Sequence, residues 1–356
     1  MLLLVSTDKG LIEYFYDGQI WVFKKLHFEG FPVGFFKQDK ESGTWRVAIN
    51  HKHWGPKIYM SDNYGKEWKE QPVPTFNKTI KNNAHTLKSI WTISDSINGN
   101  PGCFYLGVEP AALFYTFDNG QTYELNESLW NHPTKGKWMG GGKGSKDPFL
   151  HTIHIHPDNV QEIIIGISCA GIFKSNDGGK SWISINKGIK TEYLPEKLSD
   201  AGQDPHTIRV FSNDPNIMWT QTHCGIYKSV DSGMLWEGVS DEEQNIGYGF
   251  ALVIDDEDSN CAWIIPCISD DMRVPLNYQL AVFYTENNGM NWKKLNDGLP
   301  QSLSFDIVLR QAFEKRGNHM VFGTNNGNLY YSRNKGKNWE SVSMTLAGVR
   351  AVSIIE

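Results

Sequence analysis

Six copies of one eight-residue pattern constrain the fold of this chain more than any other feature. The pattern is Ser or Thr, any residue, Asp or Asn, any residue, Gly, two further residues and an aromatic residue. Its copies occupy 61–68, 116–123, 175–182, 229–236, 285–292 and 332–339. Each copy follows a short apolar run, as Gly171-Ile172-Phe173 precedes the third. An Asp or Asn that caps backbone amides, followed by Gly at a positive φ, predicts a turn between two β-strands, onto which the aromatic residue packs.

The spacing of these octads predicts the architecture. Their starts are separated by 55, 59, 54, 56 and 47 residues, with about four strand-like runs in each interval. A period of this size is typical of a β-propeller with one blade per repeat. The first 28 residues contain three strand-like runs without a full octad, and no octad follows the run 349–355. We therefore expect the two ends to share one blade, with the C-terminal strand innermost, which gives seven blades.

This reading predicts an all-β protein with a single domain over residues 1–356. The expected blades are 1–28 together with 347–356, then 31–74, 87–129, 150–188, 205–239, 248–299 and 305–342.

The octad resembles the Asp-box of the BNR-repeat family, which includes sialidases, xyloglucanase-like glycoside hydrolases, sortilin-type receptors and photosystem assembly factors. The whole chain resembles prokaryotic BNR-like repeat proteins of unassigned function. The stretches that carry this resemblance are 107–114, 150–153 and 223–227. The resemblance implies that the octads lie on the outer hairpin of each blade, away from the ligand-binding face.

Composition narrows the classes of partner. A net charge of −6 disfavours nucleic acid, which calls for a concentrated basic patch. No apolar run approaches the length of a membrane-spanning helix, and Met1–Val5 is better explained as a strand than as a signal peptide. The five cysteines are odd in number and lack C-x-x-C spacing, so we expect reduced thiols in a cytoplasmic protein. No spacing fixes two metal ligands on one element, so we predict neither a metal nor a cofactor.

Four blades carry a basic residue or a histidine near the start of the strand that should line the central channel. These residues are Lys88, His151, His206 and Arg310. The loop between the second and third strands should rise at the same end of each blade. It brings Trp54, Glu109, His53 and His223, and the insertion 268–279 adds Asp270, Asp271 and Arg273. We therefore predict a histidine-rich channel mouth of mixed charge at the end of the blades opposite the octads.

Structural explanations compete with a role in ligand binding at these positions. His151 and His206 could face a ligand or pack internally. Glu109 could be tied to Lys88 or serve as an acid or base. Asp270 and Asp271 could simply solvate a loop tip. Arg273-Val274-Pro275 is similar to the Arg-x-Pro motif of sialidases. In sialidases that motif lies near the N-terminus of the protein, whereas here it lies in the sixth blade, so we treat the match as a coincidence.

The glycine run 140–146 lacks the spacing of a phosphate-binding loop, and it predicts a surface loop.

Three functions remain in consideration. The first is a propeller that binds an anionic or polyhydroxylated, carbohydrate-like ligand at the channel mouth. The second is a glycoside hydrolase of sialidase-like architecture, with Glu109 and Asp270 or Asp271 as its two carboxylates. The third is a scaffold that binds another protein. We favour the first, and whether the protein is an enzyme stays open.

Overall fold

The computed structural model describes residues 1–76, 85–140, 146–197 and 199–355. Within these ranges the strands form seven four-stranded antiparallel sheets, and the fold is a seven-bladed β-propeller. The helical segments of the described residues are short: an α-helix over Glu127–Trp130 and 3₁₀ turns at Pro133–Lys137 and Leu276–Tyr278. Among the same residues, no helix has the length and apolar character needed to cross a membrane.

The chain divides into two compact units, each of which contains whole sheets. The terminal unit comprises Met1–Gly30, Asn186–Ser199 and Pro205–Glu356. The central unit comprises Phe31–Ile185 and Asp200–Asp204. That residues 1–356 form a single domain stays a prediction.

The terminal unit contains blades 1, 5, 6 and 7. Blade 1 consists of Val349–Ile355, Leu2–Thr7, Gly10–Tyr16 and Trp21–His27. Blade 5 consists of Pro205–Val210, Met218–Thr222, Gly225–Ser229 and Glu237–Gly238. Blade 6 consists of Gly249–Ile254, Ala262–Pro266, Val282–Thr285 and Lys293–Leu295. Blade 7 consists of Phe313–Arg316, His319–Gly323, Leu329–Ser332 and Glu340–Ser343.

The central unit contains blades 2, 3 and 4. Blade 2 consists of Val33–Gln38, Trp45–His51, Gly55–Ser61 and Lys69–Gln71. Blade 3 consists of Ser89–Ile93, Phe104–Glu109, Ala112–Thr116 and Glu124–Leu125. Blade 4 consists of Leu150–His156, Asn159–Ile167, Gly171–Ser175 and Ile183–Ser184. We call the first strand named for each blade its leading strand.

The two ends of the chain share blade 1, as the sequence predicts. Val349–Ile355 runs antiparallel to Leu2–Thr7 and occupies the edge of that sheet. One expectation for blade 7 is wrong. The sequence analysis placed Arg310 near the start of the leading strand, which it expected to open at Leu309, but the strand begins at Phe313, so Arg310 lies before it.

Three middle strands of blades 5 and 6 are buried on both faces of their sheets. Met218–Thr222, Gly225–Ser229 and Ala262–Pro266 are buried at every position, which shows that both faces of their sheets are covered. In the terminal unit, Trp263, Phe313 and neighbouring apolar residues form one continuous core cluster. Burial of an aliphatic or aromatic side chain of this size stabilises the folded state by roughly 1.5–3 kcal/mol.

The octads form the turns that their residue types predict. The Ser or Thr hydroxyl of every copy accepts a hydrogen bond from the backbone N–H of the Gly four residues later, at 2.8–3.0 Å. The Asp or Asn Oδ1 accepts one from the N–H four residues beyond itself, at 2.9–3.1 Å. The glycine at the fifth position of the octad has a positive φ in all six turns, for example 86° at Gly179. Each octad thus satisfies its own backbone donors.

Candidate functional site

A β-bulge recurs near the start of the leading strands. In six of the seven leading strands the register with the neighbouring strand skips one residue. The skipped residues are Arg350, Gly34, Trp91, His151, His206 and Phe250 for blades 1 to 6 in order. A bulge leaves one residue outside the regular ladder and re-aims its side chain. In blades 1, 3, 4, 5 and 6 the leading strand therefore presents one side chain outside the regular ladder, whereas in blade 2 the skipped residue is a glycine.

This register corrects the alignment made from the sequence. His151 and His206 do share a position, as predicted. The equivalent residue of blade 3 is Trp91 rather than Lys88, which precedes its strand by one residue. Blade 6 contributes Phe250 at the same position. Counting residues from the octads could not reveal this, because a bulge adds one unpaired residue to a strand, so equal counts from the octads no longer mark equal positions in the ladder.

In the terminal unit, several of the predicted residues gather around Phe250. We call this group the Phe250 cluster. It consists of Tyr193, His206, His223, Tyr248, Phe250, Asp270, Arg273 and Arg310. Blades 5 and 6, the insertion of blade 6 and the segment before blade 7 all contribute to it.

Two guanidinium groups lie on the same aromatic ring at the centre of the cluster. The guanidinium carbon of Arg273 is 5.1 Å from the centroid of Phe250, and that of Arg310 is 5.3 Å from it. The electron-rich face of an aromatic ring attracts such cations. Phe250 itself is only 3% exposed, and His206 stacks on it with ring centroids 4.7 Å apart. Phe250 therefore orients its charged neighbours and offers little surface of its own.

Asp270 fixes the orientation of Arg273. Its Oδ1 accepts a hydrogen bond from Arg273 Nε at 2.9 Å, a second from Arg273 Nη2, and a third from the Tyr248 hydroxyl at 3.0 Å. Burial opposes ionisation of Asp270, but the hydrogen bonds from Arg273 and Tyr248 outweigh it and lower the pKa of the carboxyl. Burial, with the negative charge of Asp270, raises the pKa of Tyr248. At neutral pH the group is a carboxylate held by an arginine and a protonated tyrosine.

His223 forms the exposed side of the cluster. It lies in the two-residue turn between Met218–Thr222 and Gly225–Ser229, at the end of blade 5 opposite the octad at 229–236. Its ring meets those of Tyr193 and Tyr248 edge to face, at centroid distances of 4.9 and 5.4 Å. A cavity of about 430 Å³ lies alongside, and both His223 and Tyr248 line it. This volume falls in the range of small-molecule sites.

In the central unit, Lys88 and Glu109 are each held by a neighbouring side chain. Lys88 Nζ lies 2.6 Å from the Asp147 carboxylate, and the Glu109 carboxylate accepts a hydrogen bond from Trp91 Nε1 at 3.3 Å. The Trp91 ring stacks on Phe149 at 3.9 Å. The side chain of Lys88 thus pairs with an acid that the sequence analysis did not consider.

His151 belongs to the same part of the central unit. Its ring packs edge to face with Phe149 at 5.9 Å, and it is buried.

The other three predicted residues are exposed. His53 and Trp54 are exposed in the turn after Trp45–His51, where their backbone N–H groups donate to His51 Nδ1. Asp271 is exposed next to Asp270. The glycine-run loop falls largely on 141–145, outside the described residues.

Sequence reasoning missed Tyr193, Trp91 and Phe149. Tyr193 lies in the long connector before blade 5, and only the length of that connector indicated a functional role. Trp91 and Phe149 read as ordinary aromatic residues of a strand and its approach. Trp91 meets Glu109 within blade 3, and Phe149 meets His151 two residues later. The stack of Trp91 on Phe149 joins parts of the chain that are distant in sequence, so the sequence pattern could not indicate it.

Comparison with known proteins identifies the fold. No protein-family model matches the chain, and no curated protein matches it. An ancestral GH74 enzyme of known structure is 16% identical, with a TM-score of 0.58 over 89% of this chain and 39% of that one. The GH74 enzyme from Niastella koreensis is 14% identical, with a TM-score of 0.57 over 98% of this chain and 65% of that one. YCF48 bound to D1 peptide is 13% identical, with a TM-score of 0.51 over 83% and 78%.

The chain thus spans 39% and 65% of the two GH74 enzymes. Likeness at these identities shows a shared propeller fold, which hosts many unrelated functions.

Proposed function

We propose that this protein binds a small anionic, polyhydroxylated molecule, such as a carbohydrate acid, at the Phe250 cluster. The observation that carries the proposal is the placement of Arg273 and Arg310 on one buried ring. Two positive charges on one ring favour an anion beside them, and Asp270 supplies one negative charge, at Arg273. A guanidinium group matches a carboxylate through two parallel hydrogen bonds.

The surroundings suit the rest of such a ligand. Tyr193 is 39% exposed and flanks His223, so its ring offers an accessible face to the apolar side of a sugar. Tyr248 and His223 supply polar groups that line the adjacent cavity. Trp54, which the sequence suggested as a second sugar-binding face, is exposed in blade 2 of the central unit, and its part in binding stays a prediction.

Arg273 gives the sharpest test, because its own ion pair contributes little to stability. The Arg273–Asp270 side chains are each 38% exposed, and exposed ion pairs are worth about 0–1 kcal/mol. Calorimetric titration with glucuronate and N-acetylneuraminate should detect binding to the native protein. Loss of a charge-assisted hydrogen bond costs about 1.5–3 kcal/mol, so Arg273→Ala should weaken binding roughly 10- to 100-fold.

Arg333→Ala is the matched control, because Arg333 also pairs with an exposed carboxylate in the terminal unit, that of Glu340. It should bind the acids like the wild type. Glucose, which lacks the carboxylate, should bind weakly to all three proteins. Equal affinity of the wild type and Arg273→Ala for every acid would reject the proposal.

Glycoside hydrolysis is the second candidate, because GH74 enzymes share the fold. Hydrolysis needs one carboxyl with a raised pKa and a second carboxylate. The lowered pKa of Asp270 suits it to act as a base or nucleophile rather than as the acid. Sugar release that survives Asp270→Asn and Glu109→Gln would remove both acids from such a mechanism.

A protein-binding scaffold is the third candidate. YCF48, whose structure contains a D1 peptide, shares the propeller fold. Failure of every acid and sugar to bind would favour this function, to be tested by titration of peptides.

We also propose that the chain is a single BNR-repeat propeller of the cytoplasm without nucleic-acid or membrane partners. All five cysteines are free thiols, which suits a reducing compartment. Cell fractionation would test the location.

A further inference from the structure

We propose that His206 and His223 bind a divalent transition-metal ion such as Zn²⁺ or Ni²⁺. A ring nitrogen of His206 lies within 4.8 Å of one of His223. Their ring centroids are 6.1 Å apart and the rings are inclined by 73°. Imidazole nitrogens bind Zn²⁺ at about 2.0–2.1 Å, so a small rotation of one ring brings both onto a shared ion. The proposal differs from the expectation drawn from the sequence, which predicts no metal.

The environment of His206 resembles that of a metal ligand held by a second shell. Its Nδ1 lies 2.6 Å from the carbonyl oxygen of Gly249. A carbonyl can only accept, so Nδ1 carries the proton and the lone pair of the neutral ring is on Nε2. Metal-binding histidines commonly donate their second N–H to a backbone carbonyl, which fixes both the tautomer and the ring orientation. His206 is 1% exposed and stacks on Phe250, so its ring is held in place on two sides.

His223 is the more accessible of the two histidines. It lies in a two-residue turn, is half-buried, and lines the 430 Å³ cavity beside the cluster. An ion can therefore reach it from solvent, and water can complete the coordination from the cavity. Turn residues can also shift more easily than the strand residue His206, which allows the two nitrogens to approach each other.

The charges around the pair set the expected strength. Among the residues of the terminal unit, Asp270 is negative and favours a cation nearby, while Arg273 and Arg310 oppose one. With two ligands from this unit and this balance of charge, binding should be moderate and should strengthen when an anion is also present. The inference does not rest on the proposed carbohydrate function, because it concerns the ion alone.

The test uses the full chain, stripped with EDTA and then freed of chelator by gel filtration. Zn²⁺ and Ni²⁺ are titrated calorimetrically, and bound metal is counted by elemental analysis. The wild type should bind about one ion per chain with displacement of bound water. His206→Asn retains an amide N–H at the Nδ1 position to donate to Gly249 and removes Nε2. His223→Asn removes the second ligand, and both variants should bind at least 10-fold more weakly.

His53→Ala is the control for adventitious binding, because His53 is an exposed histidine outside the cluster. It should bind like the wild type. The proposal is overturned if both cluster variants bind like the wild type, or if His53→Ala alone loses the ion. Circular dichroism confirms that each variant is folded, and His223→Asn, in an accessible turn, remains decisive if His206→Asn does not fold. Glucuronate titration in EDTA tests the carbohydrate function separately, so either proposal can fail without the other.

Discussion

Asp255 provides a sharp test of how buried charge supports the terminal unit. Its side chain is 3% exposed, and its Oδ2 lies 2.8 Å from Lys335 Nζ and 3.3 Å from Lys315 Nζ. Burial raises the pKa of Asp255, but the hydrogen bond from Lys335, a backbone hydrogen bond from Glu257 and the charge of Lys315 together lower it to about 2. Since the ordinary value is 3.8, the carboxylate contributes roughly 2 kcal/mol to stability above pH 4.

Asp255→Asn should therefore destabilise the protein by about 2–4 kcal/mol at pH 7. The range extends above the linkage value because Lys315, 1% exposed, loses a charged partner inside the protein. It stays below the largest penalties for broken buried pairs because Asp256 remains 2.8 Å from Lys315. Urea unfolding followed by tryptophan fluorescence measures the difference.

The pH dependence separates charge from packing. A lowered pKa gives stability that is present above the unfolded pKa and is lost as pH falls through the folded one. The wild-type advantage from this charge should roughly halve by pH 3, fall to a small fraction near pH 2 and vanish below it. Asp256→Asn, at a side chain 52% exposed, should cost less than about 1 kcal/mol at pH 7. A difference between Asp255→Asn and wild type below 1 kcal/mol at pH 7, or one unchanged at pH 3, would refute the reasoning.

Two further predictions concern the octads and the thiols. Ser175→Ala should lower the free energy of unfolding in urea by about 1–3 kcal/mol, because the buried N–H of Gly179 loses its acceptor. The control Lys180→Ala, at an exposed position of the same octad, should change it by less than about 0.5 kcal/mol. Iodoacetamide should label the half-buried Cys169 and Cys224 of the native protein, as read by mass spectrometry. Burial raises the pKa of the other three thiols and should protect them: Cys103, Cys261 and Cys267.

The parts that the sequence predicts well are those held together by local bonds. Each octad closes hydrogen bonds between residues four apart, so residue types alone indicate its turn. The shared blade follows from counting strands at the two ends. The pairing of Lys88 could not be predicted in this way, because its partner Asp147 is 59 residues away, in the connector before blade 4. The bulge at Trp91 was missed because the alignment counted residues from the octads and so assumed a regular ladder.

The two ends of blades 5 and 6 differ in the regularity of their backbone and therefore in what their side chains can bind. At one end, the octads satisfy their own donors, and their side chains have little left to offer a ligand. At the other end of blades 5 and 6, bulges at His206 and Phe250 release side chains from the ladder, and a turn supplies His223. Irregular backbone gives up sheet hydrogen bonds and aims polar groups that a regular strand would alternate between its two faces. Substitutions at the exposed polar residues of the Phe250 cluster, such as Arg273, should therefore change binding more than stability, and substitutions in the octads should do the reverse.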